Sequence, residues 1–141
     1  MGKRREGREA AVQFLFQDDL NKTDATAVPA ALEEFWKLRE SAAKTRQFAT
    51  ELINGVMEQH EAIDEHIKRV TANYELHRIA PVDRNILRVA IYEMLYTSEV
   101  PPVVCINEAI EIAKRFGSED SGRFVNGILD KLKEGTTRPL R

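Results

Sequence analysis

No stretch of this chain approaches the roughly 20 consecutive apolar residues that a membrane helix needs, and the polar, arginine-bearing start lacks the apolar core of a signal peptide. Both absences point to a soluble cytoplasmic protein. Cysteine is nearly absent too: Cys105 is alone in 141 residues, which excludes an intramolecular disulfide. Its neighbours Val103, Val104 and Ile106 mark it as a small buried hydrophobe, since a catalytic thiol needs a basic, partly open setting. A broad basic field is missing as well. The formal charge is −2 and the isoelectric point about 6.0, so the whole surface is not that of an independent, tight nucleic-acid binder.

Catalytic signatures are also lacking: there is no Gly-rich phosphate loop, nucleophile elbow or dinucleotide fingerprint. His60-Glu61-Ala62-Ile63-Asp64 has the outline of a zinc-protease helix, but Asp64 stands where the second histidine belongs, and no Glu-x-x-His pair of the di-iron type occurs. A solvated, charged helix face is the expectation for His60, Glu61, Asp64, Glu65 and His66. The chain is expected to be no enzyme and to carry no metal or cofactor.

What is present is helical periodicity nearly everywhere. A first helix over about 5–20 gathers Ala11, Phe14 and Leu15 on one face with Val12 and Phe16 beside it, and Asn21–Ala27 is a polar break. Pro29 suits the first turn of a second helix that buries Val28, Leu32, Phe35 and Trp36. A third over about 43–59 presents Phe48, Leu52, Ile53, Val56 and Met57, and a fourth over about 61–72 presents Ile63, Ile67 and Val70. After a loop from Tyr74 to Pro81, Asp83 is the expected N-cap of a helix with Ile86, Leu87, Ala90, Ile91, Met94 and Leu95 in register, which Pro101-Pro102 ends.

Two more helices occupy Ile106–Asp130. Ile106, Ala109, Ile110 and Ala113 repeat at helical spacing, as do Phe124, Val125, Ile128, Leu129 and Leu132. Gly117 is placed to close the first of these in a C′ conformation. Ser118 is placed to cap the second, with Glu119 and Asp120 in its first turn. Asn126-Gly127 breaks the pattern: glycine inside a helix costs about 0.8–1.0 kcal/mol, which asks for close helix packing, the plainer explanation, or a ligand. Seven helices with short loops make an all-α bundle, and 141 residues bury about two thirds of the unfolded surface. Leu52-Ile53-Asn54-Gly55-Val56-Met57 echoes Phe124-Val125-Asn126-Gly127-Ile128-Leu129, a hint of two related halves of one domain, about 1–73 and 74–141.

Positive charge is concentrated at the start: Lys3, Arg4, Arg5 and Arg8 stand against a single acid, Glu6. A flexible arginine arm of this kind meets RNA phosphates and stacks on unpaired bases, and equally serves as a solubilising terminus. Three or four phosphate contacts by such an arm predict a salt slope of roughly −2 to −3 on single strands.

Several blocks bear on that choice: GREAAVQFLFQ, LINGV, PVDRNILRVAIYEML, the proline pair with VCINEAIEIAK, and FGSEDSGRFVNGILD. Together they resemble the NusB family of bacterial transcription antitermination factors, the last two blocks most specifically. The resemblance implies an all-helical pair of three-helix bundles that binds single-stranded boxA RNA of nascent ribosomal RNA operon transcripts. It further implies NusE, a ribosomal small-subunit protein, as partner, and action within the RNA polymerase antitermination complex. Carried over, the RNA-binding residues are Arg4, Arg5, Arg8, Phe116, Asp120 and Phe124, with Arg123 as a weaker candidate. The arginines would neutralise phosphates, the rings would stack, and Asp120 would accept from a base amino group. On pattern alone Phe124 reads as core and Asp120 as serving a helix end. The partner-binding residues are Phe16 and Asp83, where the family often has Tyr and Glu; Phe16 also reads as ordinary core.

Two other functions are open at this stage. One is a helical interaction module with no RNA contact. The other is an RNA-modifying enzyme, which would need a cofactor domain after the helical one, whereas this sequence stops at Arg141. Whether the protein is a monomer or a homodimer is not decided by sequence, because buried and exposed apolar faces look alike in one dimension.

Overall fold

The computed structural model describes residues 2–22, 24–71 and 75–135. Among them are seven α-helices and no strands: α1 Lys3–Asn21, α2 Val28–Lys37, α3 Ala43–Glu58, α4 His60–Thr71, α5 Pro81–Tyr96, α6 Pro102–Phe116 and α7 Ser121–Glu134. Short 3-10 turns at Ala25–Ala27 and Leu76–Arg78 complete the path. The expected end of the fourth helix at Ala72, the loop start at Tyr74 and the boundary between halves near 73 lie outside the described residues. Among the described residues no helix is long and apolar enough to cross a membrane.

α5 is the axis of the bundle and packs against α1, α3, α4, α6 and α7. Its composition explains that place. Ile86, Leu87, Val89, Ala90, Ile91 and Met94 are all buried, which leaves the helix apolar on nearly every side, and such a helix is stable only at the centre. α1 pairs with α3, and α6 with α7 as an antiparallel hairpin. α2 lies over α1 through an edge-to-face contact of Phe14 with Phe35 at 5.5 Å. Trp36 stacks edge-on to Phe35, and Arg39 and Arg46 lie over these two rings. Each fully buried Ile or Leu contributes about 1.5–3 kcal/mol, so the stripes expected from periodicity hold the fold. Cys105 is 1% exposed and unbonded to sulfur, as its apolar neighbours imply.

Several local expectations are corrected. α5 begins at Pro81, with Ala80 as cap, so Asp83 lies within the first turn and is not the N-cap; proline's fixed φ and missing N–H suit the first helical position. α5 ends at Tyr96, before the proline pair, and Pro101-Pro102 instead start α6. α7 starts at Ser121, so Glu119 and Asp120 precede its first turn. The capping contact runs opposite to expectation: the Ser118 backbone N–H donates to Ser121 Oγ at 2.9 Å. Gly117 closes α6 in extended backbone (φ −93°, ψ −170°), not left-handed; a Cβ there would lie 2.4 Å from Ser121 Oγ, so glycine is needed for space.

Asp64 is not part of a solvated face. It is 7% exposed and bonds both Nε and Nη2 of Arg88 at 2.9 and 3.0 Å. Gly127 does not serve close packing, because a Cβ there would meet nothing within 4 Å; Gly55, its counterpart in the echo, is the packed one, with the Tyr92 ring 2.0 Å from its Cβ position.

Candidate nucleic-acid interface

The basic start is helical from Lys3, not a flexible arm, because partners on three other helices hold it. Arg4 is exposed. Arg5 is half-buried and donates from Nε and Nη2 to the two Glu108 oxygens on α6, at 2.9 and 2.8 Å. Arg8 is 4% exposed and donates to both Glu93 oxygens on α5 at 2.6 and 3.0 Å, with Glu108 also 3.6 Å from its Nη1. Both Arg4 and Arg8 lie over the Phe48 ring of α3, at 5.8 and 5.4 Å from its centroid. The ring fits there because Gly7 leaves the room: a Cβ on Gly7 would stand 2.7 Å from Phe48 Cδ2.

One turn along, Glu9 accepts from Arg115 at 3.1 and 3.2 Å, and the Arg115 guanidinium covers the Phe116 ring at 5.2 Å. α1 is thus fastened along α6, with the basic start at Glu108 and Glu9 at Arg115, so Phe116 lies about two turns of α6 beyond the Arg5 pair. Asp120 is exposed in the turn after α6. Phe124 is half-buried on α7, so the pattern that marks it as core is met only in part. The guanidinium of Arg8 is occupied by Glu93 and turned into the bundle, whereas Arg4 is exposed and, among the described residues, has no carboxylate partner. Hydrogen bonding from Arg5 holds the Glu108 carboxyl below the usual carboxylate range, against an opposing effect of partial burial.

The other predicted pair, Phe16 and Asp83, lies on helices that Asp19 ties together. Asp19 Oδ2 accepts from Arg84 at 2.8 and 2.9 Å and from Asn85 and Arg88 at 3.1 Å each. Burial pushes the Asp19 carboxyl up, and the bonds and charges of Arg84 and Arg88 outweigh that to leave it lowered. Phe16 is half-buried; Asp83 is 8% exposed, and its Oδ1 has no hydrogen-bond partner among the described residues.

Sequence reasoning did not find Phe48, Glu93, Glu108 or Arg115. Their roles rest on pairings up to 106 positions apart, for which periodicity carries no signal. Among the described residues no group of three or more His, Cys, Asp or Glu could hold a metal.

These elements define an all-helical scaffold that carries cations and aromatic rings along α1, α6 and α7. The chain belongs to the NusB family: the model of that family matches residues 5–134. The transcription antitermination protein NusB of Sorangium cellulosum is 43% identical over 138 residues, 98% of this chain and 96% of that protein. The T. maritima NusB structure superposes with a TM-score of 0.83 at 36% identity, covering 99% of this chain and 94% of that one. A crystal structure of antitermination factors NusB and NusE in complex with dsRNA gives a TM-score of 0.78 at 23% identity, over 96% of this chain and 99% of that one. At that identity the likeness speaks for the fold alone.

Proposed function

We propose that this protein is a transcription antitermination factor. It binds single-stranded boxA RNA of nascent ribosomal RNA operon transcripts jointly with NusE and keeps RNA polymerase from terminating early. The work is binding and not catalysis, and it takes place in the cytoplasm, where transcription does. The observation that carries this reading, beside family membership, is that the basic α1 is fastened along α6, the helix that ends at Phe116, through Arg5–Glu108 and Glu9–Arg115.

On this surface Arg4 and Arg5 meet phosphates, Phe116 and Phe124 offer ring faces, and Asp120 accepts from a base amino group. Arg8 has a different part: paired inside the bundle, it positions the helix and the Phe48 ring under Arg4. Phe16 and Asp83 serve the protein partner, with the unmatched Asp83 Oδ1 left as an acceptor for a partner's donor. A slightly acidic chain suits this division, since a partner supplying further cations raises joint affinity by linkage on one RNA.

Binding of purified protein to a short boxA-like single strand and a scrambled control, with and without NusE, tests the reading. Selective binding that strengthens with the partner and weakens in Arg4→Ala/Arg5→Ala supports it. Equal, salt-insensitive behaviour toward both RNAs would leave a helical interaction module.

A further inference from the structure

The C-terminal turns of α4, α5 and α7 meet around a pocket of about 390 Å³. His66, Arg69, Tyr96 and Lys131 are its polar lining, and Val70, Leu95 and Leu132 its apolar wall. No carboxylate lines it. Of the acids on the same helix ends, Glu65 pairs with Lys68 at 3.5 Å and Asp130 with Lys133 at 3.8 Å. Among the described residues, Arg69 and Lys131 form no ion pair with a carboxylate.

Hydrogen-bond direction turns the polar side chains of the lining into donors. Arg69 Nη2 lies 2.6 Å from His66 Nδ1, and a guanidinium can only donate, so Nδ1 accepts and the ring proton sits on Nε2. That Nε2–H donates to Tyr96 Oη at 3.1 Å, which leaves the tyrosine O–H to donate outward. The other N–H groups of Arg69 and the ammonium of Lys131 add to the set. A guanidinium, an ammonium and a hydroxyl donor with no carboxylate among them, beside an apolar wall, suit an anionic group carried on a larger molecule.

The pocket also continues the surface assigned above. Phe124 and Lys131 are seven residues apart on α7, two turns along the same flank, so their Cα atoms are roughly 10 Å apart along the axis. A single strand crossing Phe124 reaches Lys131 within a few nucleotides.

We propose that this pocket is a phosphate subsite for the RNA strand that crosses Phe124, with Arg69, Lys131 and the Tyr96 hydroxyl as its donors. The inference rests on the RNA-binding reading and extends it to a second end of α7.

The test is fluorescence anisotropy with a core boxA-like strand and with the same strand extended by a few nucleotides at either end, at two salt concentrations. The proteins are the full chain, Arg69→Ala/Lys131→Ala and Tyr96→Phe; all three are exposed or half-exposed positions, and a thermal melt controls for folding. One extended strand should bind the wild type more tightly than the core strand. The double variant should lose that gain, roughly tenfold, with a salt slope shallower by about 1.4, while its affinity for the core strand is unchanged. Tyr96→Phe should lose part of the gain. Extended-strand affinity that ignores the double variant overturns the proposal. So does a variant that loses NusE binding but keeps RNA binding, which would make the face a protein contact. Tyr96 NMR signals that move with inorganic phosphate but not with the extended RNA would reassign the pocket to a small anion. No binding of the wild type to the core strand would sink the RNA reading itself, a failure separate from these.

Discussion

Arg8 on α1 and Glu93 on α5 form a two-point ion pair inside the bundle, with Nε 2.6 Å and Nη2 3.0 Å from the two carboxylate oxygens and side chains only 5% and 3% exposed. Removing Arg8 takes the guanidinium from the buried Glu93 charge, and removing Glu93 leaves Arg8 only the longer carboxylate contact with Glu108. Arg8→Ala or Glu93→Ala is expected to cost roughly 3–5 kcal/mol in urea denaturation. Arg8→Met/Glu93→Leu should recover most of that loss, because two apolar side chains need no counter-charge. A cost below about 1 kcal/mol for Arg8→Ala would mean that the pair contributes no more than a surface bridge.

Arg4 makes the contrasting case. It is exposed at the start of α1, so Arg4→Ala should leave the melting temperature nearly unchanged while weakening RNA binding. Loss of one phosphate contact should make the salt slope shallower by about 0.7. An unchanged slope would remove Arg4 from the interface.

The two Asn-Gly pairs separate by environment. Gly55→Ala places a methyl group against the Tyr92 ring, which itself stacks on Tyr96 at 6.2 Å, and overpacking of this kind costs about 1–3 kcal/mol. Gly127→Ala meets open space and should stabilise the isolated protein by about 1 kcal/mol, the helix-propensity difference. Chemical denaturation of the two variants should thus show shifts of opposite sign.

Acid should loosen the attachment of α1 to α6. The Arg5 hydrogen bond lowers the Glu108 carboxyl from its ordinary 4.5, so the folded state holds its proton less readily than the unfolded state. The resulting stability is fully present above pH 4.5 and is lost as pH falls through the lower folded value. Asp19 acts in the same direction at the other end of α1. Thermal melts of Glu108→Gln should start from lower stability near neutral pH and depend less on pH below 4.5 than the wild type; parallel curves would assign the acid sensitivity elsewhere.

Lys22 caps α1 in the left-handed region, φ 51° and ψ 49°, with its N–H on the Asp18 carbonyl. Lys22→Gly relieves the Cβ clash of that conformation and should raise stability by about 1 kcal/mol in urea titration. No gain would show that the lysine side chain offsets the strain.

Much of the fold was legible because helix periodicity, proline placement and buried stripes are local. The seven helices lie close to their expected positions, and the central role of α5 follows from its nearly continuous apolar composition. Errors fell where two locally equivalent choices existed. Ser118 and Ser121 are both capping residues by type, and only the space around Gly117 selects Ser121. Asp64 on an acidic helix looks solvated until Arg88, 24 residues on, is folded against it.

By itself the sequence determined the all-α class, the helix register, the burial of Cys105 and the family, since each depends on residues within a few turns of one another. Only the tertiary structure decided which of three similar arginines stays open, which of two similar glycines is packed, and that Arg69, Tyr96 and Lys131 share one pocket. Those outcomes depend on which helices meet and at what distance. The energies of ion pairs and close packing depend on that separation, which residue spacing along the chain does not encode.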